Sequence, residues 1–405
     1  MGNYDNIKSH DRMSFLMAQR NRKMASSVQA YVRGSTKKFY EWLQDSDRPE
    51  LPEGPPVWIC GDCHVGNLGP VSDVDGSIAI EVRDFDQTVI GNPAHDLIRL
   101  GLSLAMAARN SVLPGNVTAR MLESLVTGYE KAFAVEARHE TTDHINDMPK
   151  IIRMEMHRAL GQSWKHLADK RIGGKSLIPI GKRFWTLTAN EHAAVVGLFA
   201  EENVRNLTTS LRERTDNAET RVIDAAYWRK GCSSLGRLRL AVLMAAGHGK
   251  NERHCLIDVK EATAAAAPSH KAAEMPSDHA ERVVSGARQM SPFLGPRMVA
   301  EHILGKAVFV RELFPQDLKL EIETLRRKEA MNVAEYLAHV VGRGHARQMP
   351  PGTSRHWLAE LHRNHSKSLD APSWLWNSVV DLVGVHEAAY LNHCRRYPNI
   401  DNPSA

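Results

Sequence analysis

Residues 57–70 read VWICGDCHVGNLGP, and the stretch parses in two ways. Cys60-Gly61-Asp62-Cys63-His64 spells C-x-x-C-H, the pattern of haem attachment through two thioethers with the histidine as axial ligand. Read instead from the apolar run VWIC, it is a short strand entering an acidic loop that carries Asp62 and, five residues on, Asn67. An Asp and an Asn so spaced are often only turn residues at strand ends. The flanks decide. DSDRPELPEGPP ahead is a Pro-rich break; behind, Asp75-Gly76 is a hairpin turn signal and SIAIEV alternates apolar residues. The spacing predicts a small β element that returns the chain from Asn67 to a second acidic cluster, Asp84-Phe85-Asp86.

Phosphoryl transfer needs a carboxylate beside the attacking hydroxyl, metal ligands under the triphosphate, a cation on the phosphates and backbone amides over them. Asp62 is the candidate carboxylate. Asn67 and Asp84 offer the hard oxygens that suit Mg²⁺, with Asp86 as a further ligand or an acid behind the ligands. Downstream, Gly231 and Gly236 flank CSSL ahead of a β-like run, so that Ser233 and Ser234 sit in a phosphate-covering turn. Lys260 ends the next strand in LIDVKEA, where it would neutralise phosphates. Taken alone, G-x-x-x-x-G is equally an ordinary hairpin-flanking loop. Glu281, on a following helix, is a candidate partner for Lys260, with Glu274 as its competitor. His64 reads as a loop-stabilising hydrogen bonder and His345, in GHARQM, as a packed helix residue.

GDCHVGN, RDFDQ and GNPAHDLIRL occur in that order. Together they resemble the G-D-L-H-P-G-N, I-D-F-D and D-P-A-Y-D-L series of aminoglycoside and choline phosphotransferases. The resemblance implies Asp62 as catalytic Asp, Asn67 and Asp84 as metal ligands, and Asp96 as the residue that steadies the loop from the following helix. Cys60 departs from the pattern, standing where those enzymes usually have His. With SSLGRLRLAVLM, VKEA, RVVSGARQM, FVREL and GHARQM added, most of the chain resembles the bacterial family designated domain of unknown function 2252. That likeness implies an α+β, protein-kinase-like two-lobe fold, circularly permuted. Residues 1–222 would form a catalytic part, 223–318 a nucleotide-binding part, and 319–405 a helical return that completes the catalytic part. It implies an ATP- and Mg²⁺-dependent phosphotransferase acting on a small-molecule hydroxyl. A non-catalytic nucleotide-binding pseudokinase and a nucleotidyl (AMP) transferase stay open; the set Asp62, Asn67, Asp84 and Lys260 favours activity, since binding alone needs no Asp beside the acceptor.

Composition narrows the classes. The chain has 405 residues, 42% hydrophobic and 24% charged, and no apolar run nears the ~20 residues of a membrane helix, so no membrane is expected. Its 52 basic residues are nearly matched by 47 acidic ones, and the basic clusters are short and scattered, so no nucleic-acid partner is expected. The start lacks the apolar core of a signal peptide, which points to the cytoplasm and, with an odd five cysteines, to free thiols. Covalent haem is fitted outside the cytoplasm, so the lack of an export signal speaks against the haem reading, and zinc at Cys60 and Cys63 lacks a second ligand pair. Nothing indicates an oligomeric state.

Helical patterns are expected over 10–45, from Asn92-Pro93 onward, through 117–137, about 140–170 and about 189–214, over 279–305 and over 331–397. Two β-like runs after Trp228 suggest a hairpin, 307–314 another strand, and ATAAAAPSHKAAEMPSD a mobile loop. The acceptor pocket is expected among the helices of 110–220.

Overall fold

The computed structural model describes residues 7, 9–45, 49–111, 113–134, 145–172, 177–209, 219–232, 234–247, 249, 252–271, 273–320, 326–362 and 372–398. It is a mixed α+β protein. The described helices are α1 (Arg12–Met24), α2 (Val28–Gly34), α3 (Thr36–Leu43), α4 (Ala94–Asn110), α5 (Gly115–Lys131), α6 (Lys150–Leu160), α7 (Trp164–Ile172), α8 (Ala189–Ala200), α9 (Glu202–Thr209), α10 (His279–Met290), α11 (Arg327–Ala346), α12 (Pro351–His362) and α13 (Ser373–Arg396). The strands are β1 (Val57–Ile59), β2 (Leu68–Ser72), β3 (Ile78–Val82), β4 (Val89–Gly91), β5 (Phe184–Trp185), β6 (Thr220–Trp228), β7 (Arg239–Ala246), β8 (Arg253–Glu261), β9 (Met298–Ile303) and β10 (Lys306–Glu312).

Six strands make one antiparallel sheet in the order β5-β6-β7-β8-β10-β9. Every residue of β7 is buried, because both faces of the sheet are covered. Side chains alternate along the strand: Leu240, Val242 and Met244 join α8 and α9 on one face, while Ala241 and Leu243 join Leu167 and Ala168 of α7 on the other. The β6 segment TRVIDAAYW is not legible as a strand beforehand. Its polar Thr, Arg and Asp blur the alternation, and its register with β7 shifts between Val222 and Asp224.

The 279–305 segment is not one helix. α10 ends at Met290 and the chain turns at Leu304-Gly305, both with positive φ (55° and 72°), into the β9–β10 hairpin. Two consecutive left-handed residues are what a tight two-residue hairpin turn requires. The Ala-rich stretch is likewise held in place: Ala266 N donates to Gln87 Oε1 at 2.7 Å and His270 N to the Ile90 carbonyl at 2.8 Å.

A helical body carries the two small sheets β1–β4 and β2–β3. α11 returns from far along the chain to pack on α5. The contact depends on Gly128, where a Cβ would stand 1.9 Å from the Glu335 carbonyl oxygen, so the helices approach backbone to backbone. This close crossing brings the end of α11 against the start of α4, under the 60–67 loop.

Candidate active site

The loop between β1 and β2 is pinned from three directions. From the first turn of α4, Asp96 accepts Cys60 N at 2.7 Å and Gly61 N at 2.9 Å. From the end of α11, His345 Nε2 lies 3.2 Å from the same carboxylate, and its Nδ1 is 3.0 Å from the Tyr129 hydroxyl, which Trp357 Nε1 also meets at 3.0 Å. All of these residues are buried. Gln348, just past α11, pairs with both backbone groups of Trp58 in β1, accepting its N–H at 2.7 Å and donating to its carbonyl at 3.0 Å. His345 is thus a packed helix residue, but one whose polar edge bears on the loop. Gly61 (φ 75°) has no room for a side chain, since a Cβ would lie 2.1 Å from the Gln87 carbonyl oxygen.

Asp62 sits one layer behind the cleft wall. Its Oδ1 accepts Arg99 Nε at 2.9 Å and its Oδ2 accepts the Thr36 hydroxyl at 2.9 Å. Burial pushes its carboxyl up, while the Arg99 charge and the Thr36 bond pull it back. Asn67 Nδ2 donates to the Asp62 carbonyl at 3.0 Å, which leaves the amide oxygen of Asn67 unspent. His64 is a correction: its Nε2 is 3.9 Å from Asp62 Oδ2 and its buried Nδ1 has no hydrogen-bond partner among the described residues, so it is not the loop-stabilising hydrogen bonder expected. Burial first, then the Arg99 and Arg33 charges, hold this imidazole well below its ordinary range.

The predicted hairpin forms: β2 and β3 pair from Leu68 with Val82 to Ser72 with Ile78, which carries Asp84 back beside Asn67. Both line one cleft of about 410 Å³, together with His64, Gly66, Gly231 and Ser234. Lys260, on β8, stands behind Asp84 and is not part of the cleft lining. Its Nζ is 3.2 Å from Asp84 Oδ1 and 2.7 Å from Asp86 Oδ2, across 176 residues of sequence for Asp84. Burial alone would raise Asp84, but Lys260 and Arg311 hold it below the ordinary carboxylate range. Asp86 is raised by burial and by the Asp84 charge, against the pull of Lys260. The Asp84 side chain keeps 35% of its surface open, whereas Asp86 keeps 8% and turns to Lys260 and to Arg237 at 3.7 Å. Asn67 and Asp84, hard oxygens open to the cleft, therefore fit a magnesium ion; Asp86 is a buried partner of the lysine.

Glu281 is a correction. It is exposed on α10, as is Glu274 before that helix, and the carboxylates at Lys260 are Asp84 and Asp86. The neighbouring Arg282 instead points inward, donating to the carbonyls of Thr88, Asp86 and Thr263. The Gly231–Gly236 loop has both glycines at positive φ, 92° and 93°. Gly231 and Ser234 face the cleft, and a Cβ at Gly231 would stand 2.6 Å from Ser234 Oγ. Gly236 turns away, against Met17. Ser233 lies outside the described residues.

Several partners of the site carry no motif of their own. On β7, β8 and β10, Arg239, Asp258 and Arg311 share the sheet face of Lys260. Asp258 accepts Arg239 Nε at 2.8 Å and Nη2 at 2.6 Å, and lies 3.5 Å from Arg311. These charges, with burial working against them, hold Asp258 below its ordinary range. The signal is the alternation in RLRLAV and LIDVKEA, which puts charges at period two inside otherwise apolar strands. Arg99 is similarly visible as one turn beyond Asp96 on α4.

Among the described residues, Cys60, Cys63 and Asp96 form the group of potential metal ligands, with ligand atoms within 4.8 Å of one another. Asp96 already holds two loop amides, and the thiol of Cys60 is pushed up by its hydrogen bond with Cys63 and by burial. The set serves the loop. No helix is long and apolar enough to cross a membrane among the described residues.

No curated protein and no solved structure matches the chain. Across residues 12–396 it matches the model of domain of unknown function 2252, described as an uncharacterized protein conserved in bacteria, and the chain therefore belongs to that family.

Proposed function

We propose that the protein is an ATP-dependent phosphotransferase that moves the γ-phosphoryl group to a hydroxyl of a small molecule, on a circularly permuted, protein-kinase-like two-lobe fold. The observation that carries this reading is the convergence in one cleft of Asn67 and Asp84 from the loop side with Gly231 and Ser234 from the sheet side, while Lys260 bonds Asp84 from behind. Hard oxygen ligands and a Gly-flanked turn facing one cleft are among the parts that phosphoryl transfer uses; the lysine meets Asp84 and Asp86 here. In this reading the six-stranded sheet is the nucleotide-binding part. It is enclosed in sequence by helical segments that join in space through the α5–α11 contact.

Asn67 and Asp84 would hold Mg²⁺, which when bound neutralises phosphate charge. The chain's own residues do the rest. Ser234 and the amides of its turn cover the phosphates. Lys260 keeps Asp84 ionised and oriented toward the cleft. As the acceptor oxygen bonds to the γ-phosphorus, the bond from phosphorus to the β,γ-bridging oxygen breaks to leave ADP, and the hydroxyl proton would pass to Asp62, which must turn its Oδ2 from Thr36 toward the cleft to receive it. Its Oδ2 already accepts a hydroxyl hydrogen bond, from Thr36.

The test is calorimetric titration with Mg-AMP-PNP, followed by labelled ATP with a bacterial metabolite extract. Wild type should bind the nucleotide and label a product; Asp84→Ala should lose most of the affinity, and Asp62→Ala should keep affinity but lose turnover. Absence of nucleotide binding would overturn the reading. Transfer of the α-phosphate with release of pyrophosphate would replace it with nucleotidyl transfer.

A further inference from the structure

The cleft carries more positive charge than its carboxylates can answer. Eight basic side chains line it against two carboxylates, Asp84 and Asp317. Both carboxylates are engaged from behind the wall, Asp84 by Lys260 and Asp317 by Arg297 at 2.8 Å. Among the basic groups, Arg239 and Arg311 share Asp258. Arg33 and Lys319 are different: among the described residues, neither makes a hydrogen bond or ion pair.

These two are built onto the loop side of the cleft, beside Asn67. Arg33 comes from α2 and lies flat on the loop, so close that a Cβ on Gly66 would be 2.5 Å from its Nη2. Lys319 sits in a segment docked on β2, where Leu320 N donates to the Leu68 carbonyl at 3.2 Å and a Cβ on Gly69 would be 2.2 Å from the Leu318 carbonyl oxygen. Arg83, at the end of the β2–β3 hairpin, donates to the Asp317 carbonyl at 2.9 Å and brings a third cation to the same place. Although Lys319 is exposed in the cleft, the surrounding protein first, and Arg33 and Arg83 second, pull its ammonium down to about 8. Asp84 offsets this only in part, and like charges held together with so little counter-charge oppose folding unless an anion relieves them.

We propose that the phosphoryl acceptor is itself anionic: a hydroxylated small molecule bearing a phosphomonoester, whose dianion is seated on Arg33 and Lys319 beside Asn67. The proposal rests on the phosphotransferase reading for the word acceptor, and on the cation cluster for the charge. The triphosphate has its own groups on the sheet side, Lys230, Gly231 and Ser234, which leaves the loop-side cations for a second anion. The same charge disfavours cationic acceptors such as aminoglycosides and choline, the substrates of the phosphotransferases its motifs resemble. A compact dianion meets both a guanidinium fork and an ammonium, the pair that phosphate recognition favours.

The experiment titrates inorganic phosphate, and separately glycerol 3-phosphate and glycerol, into the full chain with and without saturating Mg-AMP-PNP. Phosphate and glycerol 3-phosphate should bind alongside the nucleotide with Kd of about 1 mM or tighter. Glycerol should not bind. Arg33→Ala/Lys319→Ala should weaken the phosphate compounds at least about tenfold and leave Mg-AMP-PNP within about twofold, while Arg33→Lys/Lys319→Arg should keep most of the phosphate affinity and controls for folding. Phosphate that fails to bind at about 10 mM, or that competes with AMP-PNP, overturns the separate anion site. If the nucleotide does not bind but phosphate does, and the double alanine variant loses it, the transfer reading falls and the anion site stands.

Discussion

Replacing Asp96 by Ala removes the carboxylate on which the loop hangs. Three buried donors meet it, Cys60 N at 2.7 Å, Gly61 N at 2.9 Å and His345 Nε2 at 3.2 Å. Asp96 is fully buried, so no water replaces it at the two amides without opening the loop. An unsatisfied buried amide costs about 1–3 kcal/mol, and a hydrogen bond to a charged group contributes about 1.5–3 kcal/mol. Asp96→Ala should therefore cost about 3–6 kcal/mol, a large part of the about 5–15 kcal/mol that holds a typical domain folded. Asp96→Asn keeps one acceptor oxygen and turns an NH2 toward the other amide, so it should recover less than half of the loss. Urea denaturation at neutral pH, followed by tryptophan fluorescence, measures both. A loss below about 1 kcal/mol for Asp96→Ala would refute the argument, because the loop would then be held by its own turn geometry and by Gln348.

Other consequences follow from the same packing. Glu81 is buried against the amides of Phe293 and Leu294, and burial, partly offset by those amides, raises its carboxyl from the ordinary 4.5 to about 7. The folded state keeps this proton where the unfolded state releases it. Stability should thus fall as pH rises from about 4.5 to 7, by about 3 kcal/mol from this group, and Glu81→Gln should flatten that slope in denaturation midpoints taken across the window. Gly128→Ala should cost about 1–3 kcal/mol by forcing α5 from α11, whereas Gly197→Ala, with nothing within 4 Å, should stabilise by about 0.5–1 kcal/mol; thermal melts of the two variants should move in opposite directions. A thiol reagent under native conditions should modify Cys232 and Cys394, which are part-exposed, and reach the buried Cys60, Cys63 and Cys255 only on unfolding, as mass spectrometry would show.

Local patterns were legible where the physics is local. The Asp75-Gly76 turn with alternating SIAIEV announces the hairpin, and Asp96 in the first turn of α4 lies where a carboxylate suits both helix and loop amides. Strand β6 was hidden because its register slips and polar residues interrupt its alternation. The 279–305 segment mixes a helical half with a hairpin half, and apolar content alone does not separate them.

Taken alone, the sequence determined that Asp62, Asn67 and Asp84 occupy one loop and hairpin, since residues so few apart are placed by turn and strand geometry. It also determined that Lys260 lies on a strand near a Gly-flanked turn. Only the tertiary structure decided which carboxylates meet that lysine: Asp84 and Asp86 arrive from 176 and 174 residues away, and Glu281 faces solvent. It alone decided that Asp62 is held by Arg99 and Thr36, and that Arg33 and Lys319 stand together in the cleft with no ion-pair partner among the described residues. Periodicity reports which face of an element is buried; which elements share that burial is set by packing across the whole chain, and a charged site is made from such meetings.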